Sequence, residues 1–400
     1  MTLATHAPRK ESPPTAAVPF KIHVEQRVLD DLQTRLARTR WSAVSSSDDW
    51  SYGTKPAYLR ELVGYWRSGY DWRAQESTLN ALAHFKARID GNDIHFVHEK
   101  ARAANALPLL LLHGWPDSFY RFHKVIATFA DPAGAGGDSR DAFDVVVPSL
   151  PGFGFTGPLK NVSQEQPTRQ SAQLIWRLMT EVLGYERFAV AGGDGGSALA
   201  QILAIDHPED VVGIHVTDLG WHAAKVDPES VSKPERRYLD EAKKAFMKDG
   251  AYVMVQTTRP HSLAPELNDS PVGLASWILD RFHSWCDGED PEKSFGKDDL
   301  LTNIMLYWVT ETIGPSIFTY SAEAKSPSLT PADRVERPVG VALFPKDIGG
   351  IPPRALAERT LNVQRWTEMP RGGHFPALEE PAAYSRDVVE FFRSLRSERP

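Results

Sequence analysis

Cysteine is almost absent from this chain of 400 residues, in which Cys286 stands alone. An intramolecular disulfide is therefore excluded, and so is a structural zinc site built from several thiolates. A single cysteine is compatible with a reducing compartment. No apolar stretch approaches the roughly 20 residues of a membrane-spanning helix, and residues 1–20 lack the apolar segment of a signal peptide. We therefore expect a cytoplasmic protein with no membrane partner.

An excess of positive charge is also missing. The 45 Lys and Arg residues against 52 Asp and Glu residues give a net charge of −7, which provides no basic surface for nucleic acid. Hydrophobic residues make up 42% of the chain and charged residues 24%, as in soluble globular proteins. A chain of this length can bury a large core without a stabilising metal.

The N-terminal region, residues 1–83, is predicted to be a disordered leader followed by a helical meander. Apolar residues recur at helical spacing over residues 24–38, 56–70 and 72–82. No strand is predicted in this region. Since this region is too small to form a hydrophobic core of its own, we expect it to pack on the rest of the chain.

Residues 84–219 and 326–400 are predicted to form the core. Two alternating strands come first, and then short apolar runs without alternation, which are typical of parallel strands buried on both faces. Helical patterns separate these runs, so the segment predicts an α/β fold with a doubly wound, mostly parallel sheet. The predicted buried strands are 109–112, 144–147, 188–191 and 211–216, and the predicted helices between them are 119–129, 170–183 and 197–205.

Strand patterns stop between residues 220 and 325, where helices are predicted over 235–248, 271–286 and 298–312. They resume near residues 339–344 and 360–365. A helical block between two strands of one sheet is predicted to be an inserted cap. The acidic run from Asp287 to Asp290 is interpreted as a solvated connection between cap helices, because it lacks the ligand spacing of a cation loop.

The segment Gly192-Gly193-Asp194-Gly195-Gly196 lies where a strand is predicted to end and a helix to begin. One interpretation is a nucleophile elbow, a sharp glycine-rich turn that projects one reactive side chain, here an aspartate instead of a serine. The other is a glycine-rich turn in which Asp194 caps the helix. This segment alone supports the two interpretations equally.

Two further segments fit an elbow. His113-Gly114-Trp115-Pro116 follows a predicted strand, and in a hydrolase such a loop donates one backbone N–H to the oxyanion hole. This assigns the donors to the N–H groups of Trp115 and Gly195. His374 lies on a Gly-Gly loop after the last strand and is the candidate base, and Asp347 follows the preceding strand and is the candidate acid that orients it.

The chemistry of an elbow aspartate differs from that of a serine. Attack by a carboxylate on saturated carbon leaves an ester whose carbonyl belongs to the enzyme, and water can cleave this ester. Asp194 therefore argues against peptidase and lipase chemistry.

These motifs together resemble the epoxide hydrolases of the α/β-hydrolase fold, in particular the microsomal-type branch with an N-terminal helical meander. The resemblance covers nearly the whole chain from about Val18, and the sequence departs from the mammalian members in lacking their N-terminal membrane anchor. The motifs are His113-Gly114-Trp115-Pro116, Pro148-Ser149-Leu150-Pro151-Gly152-Phe153, Gly192-Gly193-Asp194, Thr257-Thr258-Arg259-Pro260, Phe344-Pro345-Lys346-Asp347 and Gly372-Gly373-His374-Phe375.

The resemblance implies that an epoxide is hydrolysed to a vicinal diol through an ester on Asp194, which is cleaved by water activated by His374 and Asp347. It also implies that two cap tyrosines, Tyr252 and Tyr320, hold the epoxide oxygen and donate a proton. The expected partners are a small apolar epoxide and water, and no metal or organic cofactor is expected.

Two other functions are kept as alternatives. A haloalkane dehalogenase also uses an elbow aspartate, although such enzymes usually have tryptophan where this chain has Gly195. A catalytically silent hydrolase fold that serves as a binding protein is the second alternative. The N-terminal meander is compatible with a homodimer and equally with packing on its own core.

Overall fold

The computed structural model describes residues 13–43, 48–160, 165–220, 226–227 and 229–396. Within these ranges the chain forms a nine-stranded sheet in the order β1-β2-β3-β5-β4-β6-β7-β8-β9. The strands are β1 (Val18–Pro19), β2 (His84–Ile89), β3 (Asn92–Glu99), β4 (Leu107–Leu112), β5 (Phe143–Pro148), β6 (Phe188–Gly192), β7 (Val211–Val216), β8 (Val335–Leu343) and β9 (Leu361–Glu368).

Helices surround the sheet. They are α1 (Gln26–Ala37), α2 (Pro56–Ser68), α3 (Trp72–Leu79), α4 (Ile126–Ala130), α5 (Pro167–Arg177), α6 (Gly195–Asp206), α7 (Lys233–Asp249), α8 (Ala251–Thr258), α9 (Pro260–Asp269), α10 (Pro271–Trp285), α11 (Pro291–Ser294), α12 (Lys297–Thr310), α13 (Ile313–Lys325), α14 (Arg354–Ala357), α15 (Pro376–Glu379) and α16 (Pro381–Arg396). No helix in the described ranges has both the length and the hydropathy needed to cross a bilayer.

The sheet is parallel from β5 through β9, whereas β1, β2 and β3 are antiparallel. Every residue of β6 and β7 is buried, because helices cover both faces of the sheet and leave no solvent side that would favour alternation. The predicted doubly wound, mostly parallel α/β sheet is thus confirmed. The carboxyl ends of β4, β6, β7, β8 and β9 meet at one edge, where sites in open α/β sheets form.

The start of the described chain differs from the prediction. β1 pairs with β2, with Val18 opposite Lys86, and the backbone N–H of Thr15 donates to the carbonyl of Arg88. The expectation that this region contains no strand is therefore wrong. Pairing at a sheet edge needs only backbone groups, so a side-chain pattern over two residues could not reveal it. Residues 1–12 of the predicted leader lie outside the described residues.

The helix predicted over 119–129 is also different. The segment forms a 3₁₀ turn at Phe119–Phe122 and then the short helix α4. The hydroxyl of Ser118 caps the turn by accepting from the N–H of Tyr120, and Arg121 is drawn into a buried ion pair with Asp117. These contacts hold the segment in a tighter turn than an α-helix.

The N-terminal meander packs on the helical block between β7 and β8. Leu29, Leu32 and Leu36 form the buried face of α1. Arg35 pairs with Asp269 at the end of α9. The hydroxyl of Tyr65 donates to Asp298 on α12. The apolar face that α1 presents is therefore covered by this chain's own helices.

Candidate active site

The turn between β6 and α6 has the geometry of an elbow. Asp194 lies between them with φ +57° and ψ −127°, a backbone conformation that costs a non-glycine residue on the order of 1–3 kcal/mol. A Cβ atom on Gly196 would lie 2.0 Å from the carbonyl oxygen of Leu112, so only glycine fits there. The Asp194 side chain makes no capping hydrogen bond to α6, which disfavours the helix-cap interpretation.

Two backbone N–H groups interact with the Asp194 carboxylate. Trp115 N–H donates to Oδ1 over 3.0 Å, and Gly195 N–H also hydrogen-bonds to the carboxylate. Gly114 permits this approach, because a Cβ atom there would come within 2.2 Å of the same Oδ1. The donors predicted from the sequence, Trp115 and Gly195, therefore both contact Asp194.

His374 lies between two carboxylates. Its Nδ1 is 2.6 Å from Oδ1 of Asp347. Its Nε2 is 3.5 Å from Oδ2 of Asp194 and makes no hydrogen bond of its own. The three residues follow β6, β8 and β9 at the carboxyl edge of the sheet, where β8 and β9 are neighbours and β7 lies between β6 and β8.

The charges of this cluster stabilise each other. Burial opposes protonation of His374, but the negative charges of Asp347 and Asp194 outweigh it and raise its pKa to about 10. Burial likewise opposes ionisation of Asp194, yet His374 and the two N–H donors hold its pKa below the ordinary value. The resting site therefore contains an ionised Asp194 beside an imidazolium.

Aromatic rings form the opposite wall of the site. The ring of Tyr252 stacks on that of Trp115 with centroids 5.4 Å apart. Tyr320 meets Trp115 edge-on at 5.9 Å and Tyr252 at 6.1 Å. Burial, followed by the charge of Asp194, raises the pKa of Tyr252, and burial is also the main cause that raises the pKa of Tyr320. Both phenols are therefore protonated and able to donate.

A cavity of about 810 Å³ leads to the carboxylate of Asp194. It extends between α5, α6 and α13, and Tyr320 and Gly195 are among the residues that line it. Most of its lining is apolar, as is usual for small-molecule sites, with side chains such as Phe153, Leu199 and Phe318. Within the described residues, no three His, Cys, Asp or Glu side chains are arranged to hold a metal ion.

The sequence analysis did not identify the buried ion pair between Arg121 and Asp117. Both residues are almost inaccessible, at 2% and 1% exposure. Oδ1 of Asp117 accepts the N–H of Gly114 over 2.8 Å, and Nη2 of Arg121 donates to the carbonyl of His374 over 2.5 Å. The pair thus joins the oxyanion loop to the histidine loop. The sequence feature that could have indicated this ion pair is the presence of two opposite charges four residues apart in an apolar segment.

The histidine loop is held by two further acids that were missed. Glu379 accepts the N–H groups of Gly373 and Phe375, which flank His374, at 3.2 and 2.9 Å. Asp287 accepts the N–H of Gly372 over 2.7 Å. The interpretation of the run from Asp287 to Asp290 as a mere solvated connection is therefore wrong for Asp287, which is a partly buried contact between the cap and the core.

Asp218 was missed as well. It follows β7 and lies behind the elbow, where Oδ2 accepts the backbone N–H of Asp194 over 2.7 Å. Burial and the charges of Asp347 and Asp194 raise its pKa to about 6. The sequence does contain a signal for Asp218, which is an acid that follows a fully buried strand at the edge of the sheet where functional sites form.

Known proteins resemble this chain in sequence and in fold. Residues 17–122 match the family described as "Epoxide hydrolase N terminus", and residues 108–271 match "alpha/beta hydrolase fold". Epoxide hydrolase 1 of Sus scrofa is 34% identical over 95% of this chain and 89% of its own length.

Two solved structures are similar to this chain over nearly its whole length. The Aspergillus niger epoxide hydrolase has a TM-score of 0.83 at 28% identity and covers 96% of this chain and 98% of its own. The juvenile hormone epoxide hydrolase of Bombyx mori has a TM-score of 0.86 at 26% identity and covers 98% of this chain and 96% of its own. The fold and elbow define an α/β hydrolase. Within that class, the chain belongs to the epoxide hydrolases and is an enzyme.

Proposed function

We propose that this enzyme opens an epoxide by forming an ester on Asp194 and then hydrolyses that ester to release a vicinal diol. One observation carries the proposal. The Asp194 carboxylate has Oδ1 at 3.0 Å from Trp115 N–H and Oδ2 at 3.5 Å from Nε2 of His374. Such a carboxylate can attack with one oxygen and keep the other in an oxyanion hole.

The first step is attack on carbon. Oδ2 of ionised Asp194 forms a bond to one ring carbon, and the bond between that carbon and the ring oxygen breaks. The ring oxygen takes a proton from a phenol, Tyr252 or Tyr320, so that the opened substrate carries a hydroxyl group and not an alkoxide. Proton donation by a positioned acid typically contributes about 10²- to 10⁴-fold to the rate.

The second step is hydrolysis at the carbonyl carbon of Asp194. Water loses a proton to Nε2 of His374 and attacks Cγ, and the resulting oxyanion on Oδ1 is held by Trp115 N–H and Gly195 N–H. Each such donor is typically worth about 3–4 kcal/mol. When the intermediate collapses, the Cγ–Oδ2 bond breaks, Oδ2 takes the second proton of the attacking water and leaves as a hydroxyl of the diol, and the oxygen of water stays on the Asp194 carboxylate.

The charge arrangement explains how His374 can act as a base although its pKa is about 10 in the resting site. Ester formation removes the charge of Asp194, which is one of the two charges that favour the imidazolium. The same event leaves a tyrosinate in the site that can accept the imidazolium proton. His374 therefore becomes neutral when a base is required.

The substrate we propose is a small apolar epoxide, because the cavity is lined mainly by carbon. The proposed chemistry uses no organic cofactor and no metal.

The test is the intact mass of a His374→Gln variant mixed with styrene oxide. The variant lacks the base, so the ester should accumulate and add the whole mass of the epoxide to the peptide that contains Asp194. A His374→Gln/Asp194→Ala double variant is the control and should gain no mass. Mass gained only from a haloalkane, less its halogen, would indicate a dehalogenase, and no adduct from either compound would indicate a silent site.

Isotope labelling tests the second step. With enzyme in excess over epoxide in H₂¹⁸O, the first-turnover diol should contain no ¹⁸O, and the label should appear in Asp194. A diol labelled in the first turnover would mean that water attacks the epoxide directly, without an ester.

A further inference from the structure

Asp218 forms a compact set of contacts directly behind the nucleophile. Its Oδ2 accepts the backbone N–H of Asp194 over 2.7 Å and the hydroxyl of Ser197 over 2.8 Å. Its Oδ1 accepts the N–H of Gly220 over 3.0 Å. The carboxylate is thus tied to the elbow itself, to the first turn of α6 and to the chain that leaves β7.

The proposed chemistry uses Asp218 in neither step, so its presence requires another explanation. A carboxylate at this place is unfavourable, since it is buried near two other carboxylates, Asp194 and Asp347. Three hydrogen bonds to its oxygens offset part of that cost. One of them satisfies the backbone N–H of the strained residue Asp194.

We propose that Asp218 is a positioning residue that holds the Asp194 backbone in the conformation required for attack on the epoxide. The elbow conformation, with φ +57° and ψ −127°, is unfavourable for aspartate and must be maintained by its surroundings. Gly195 N–H contacts the carboxylate from one side of Asp194, and Asp218 holds Asp194 N–H on the other. Without Asp218, the Asp194 carboxylate can rotate away from the oxyanion donors.

Small errors in the position of this carboxylate should be costly. A displacement of about 1 Å in a reacting group can reduce a rate by about 10²-fold. The loss of Asp218 should therefore reduce the rate constant of ester formation, in addition to any effect on folding. This role rests on the proposed function, because it presupposes that Asp194 is the nucleophile.

The experiment measures single-turnover ester formation with styrene oxide in the His374→Gln background, by intact mass over time. Adding Asp218→Ala should slow the approach to full labelling by about 10- to 100-fold. The final fraction labelled reports how much protein is folded, and the rate constant reports how each folded molecule is positioned. A purely structural role for Asp218 would lower the labelled fraction and leave the rate constant unchanged, which would overturn the proposal.

Asp218→Asn is the conservative variant and keeps one oxygen as an acceptor for Asp194 N–H. Its rate constant of ester formation should lie between those of the parent and of Asp218→Ala, about 3- to 10-fold below the parent. If Asp218→Ala fails to fold, the test rests on Asp218→Asn alone. The proposal would then be contradicted if the rate constant of ester formation in Asp218→Asn equals that of the parent and its pH dependence below pH 7 is unchanged. Slower ester formation in Asp218→Asn would support it.

Asp387→Asn is the matched control for the loss of a buried carboxylate. Asp387 accepts from His215 on β7 and from Arg365 on β9, both at 2.8 Å, and from the hydroxyl of Thr367. This variant should lower the thermal midpoint while its rate constant of ester formation stays at the parent value. If no variant forms any adduct, the proposed function itself has failed, which is distinct from failure of the role of Asp218.

Discussion

The two walls of the active site are built in different ways. On the core side, hydrogen bonds from backbone groups and buried charges hold Asp194, His374 and the oxyanion donors. On the cap side, ring contacts hold Tyr252 and Tyr320. The core side is suited to precise placement of charge, and the cap side to closing an apolar space over a substrate. Substitutions on the two sides should therefore have different consequences.

The largest effect should come from the core side. Asp194→Ala removes the atom that forms the ester, so turnover of styrene oxide should fall by at least about 10⁴-fold, as expected for loss of a covalent nucleophile. Diol formation followed by chromatography checks this. Normal thermal unfolding is the control, and a variant with substantial turnover would refute the assignment.

The next effect should come from the cap side. Tyr252→Phe with Tyr320→Phe removes both proton donors and keeps the rings, and we expect a loss of about 10²- to 10⁴-fold in kcat/KM. Each single variant should lose less. Tyr307→Phe is a matched control, because its hydroxyl is engaged with the backbone carbonyl of Asp117. Equal losses in Tyr307→Phe and the cap pair would show that the hydroxyls act only through packing.

A shift in the titration of His374 should be of intermediate size. Asp194→Asn removes one of the charges that raise the pKa of His374 to about 10, so this pKa should fall by about 1–3 units. NMR titration of the histidine ring measures it. An unchanged pKa would mean that Asp347 alone sustains the imidazolium.

The same pair predicts a dependence of stability on pH. Since the folded-state pKa of about 10 lies above the ordinary value of 6.5, the imidazolium pairing contributes fully to the free energy of unfolding below about pH 6.5. The contribution is lost as the pH rises through about 10. Denaturant unfolding of the parent and of Asp194→Asn across this range should show a smaller loss in the variant.

The smallest effect should come from the ion pair of Arg121 and Asp117, which joins the oxyanion loop to the histidine loop. In Arg121→Gln/Asp117→Asn, the pair is neutralised together, which avoids an unpaired buried charge. The His374 carbonyl loses its donor, so we expect ester hydrolysis to slow by about 10-fold relative to ester formation. The fraction of enzyme present as ester at steady state, measured by mass, should therefore increase. Arg177→Gln, which removes a buried guanidinium paired with the partly exposed Glu181 outside the site, should leave that fraction unchanged.

Much of the core side was predictable because local sequence carries the information. The glycines at 192, 193, 195 and 196 reveal a sharp turn around Asp194, and a Gly-Gly loop marks His374. Tyr252 and Tyr320 are different, since several cap tyrosines have similar surroundings in the sequence. Their assignment came from the resemblance, and their catalytic role stays a prediction.

The residues that were missed share one property. Arg121, Glu379 and Asp218 act on backbone groups of segments far along the chain, such as the carbonyl of His374, 253 residues from Arg121, and the N–H of Asp287, 92 residues from Glu379. A side chain bonded to a remote peptide group leaves no periodicity or spacing in the sequence. Only the packed structure reveals which peptide groups such residues meet.

By itself, the sequence determined the fold class and the order of the motifs, and it indicated Asp194 as the nucleophile that we propose. These follow from short-range rules, since strand burial, glycine turns and side-chain chemistry depend on near neighbours. The tertiary structure decided how closely two carboxylates flank His374, how Arg121 holds the histidine loop and how Asp218 supports the elbow. Those properties depend on distances of 2.5–3.5 Å between residues far apart in the chain, which arise only when the strands lie side by side.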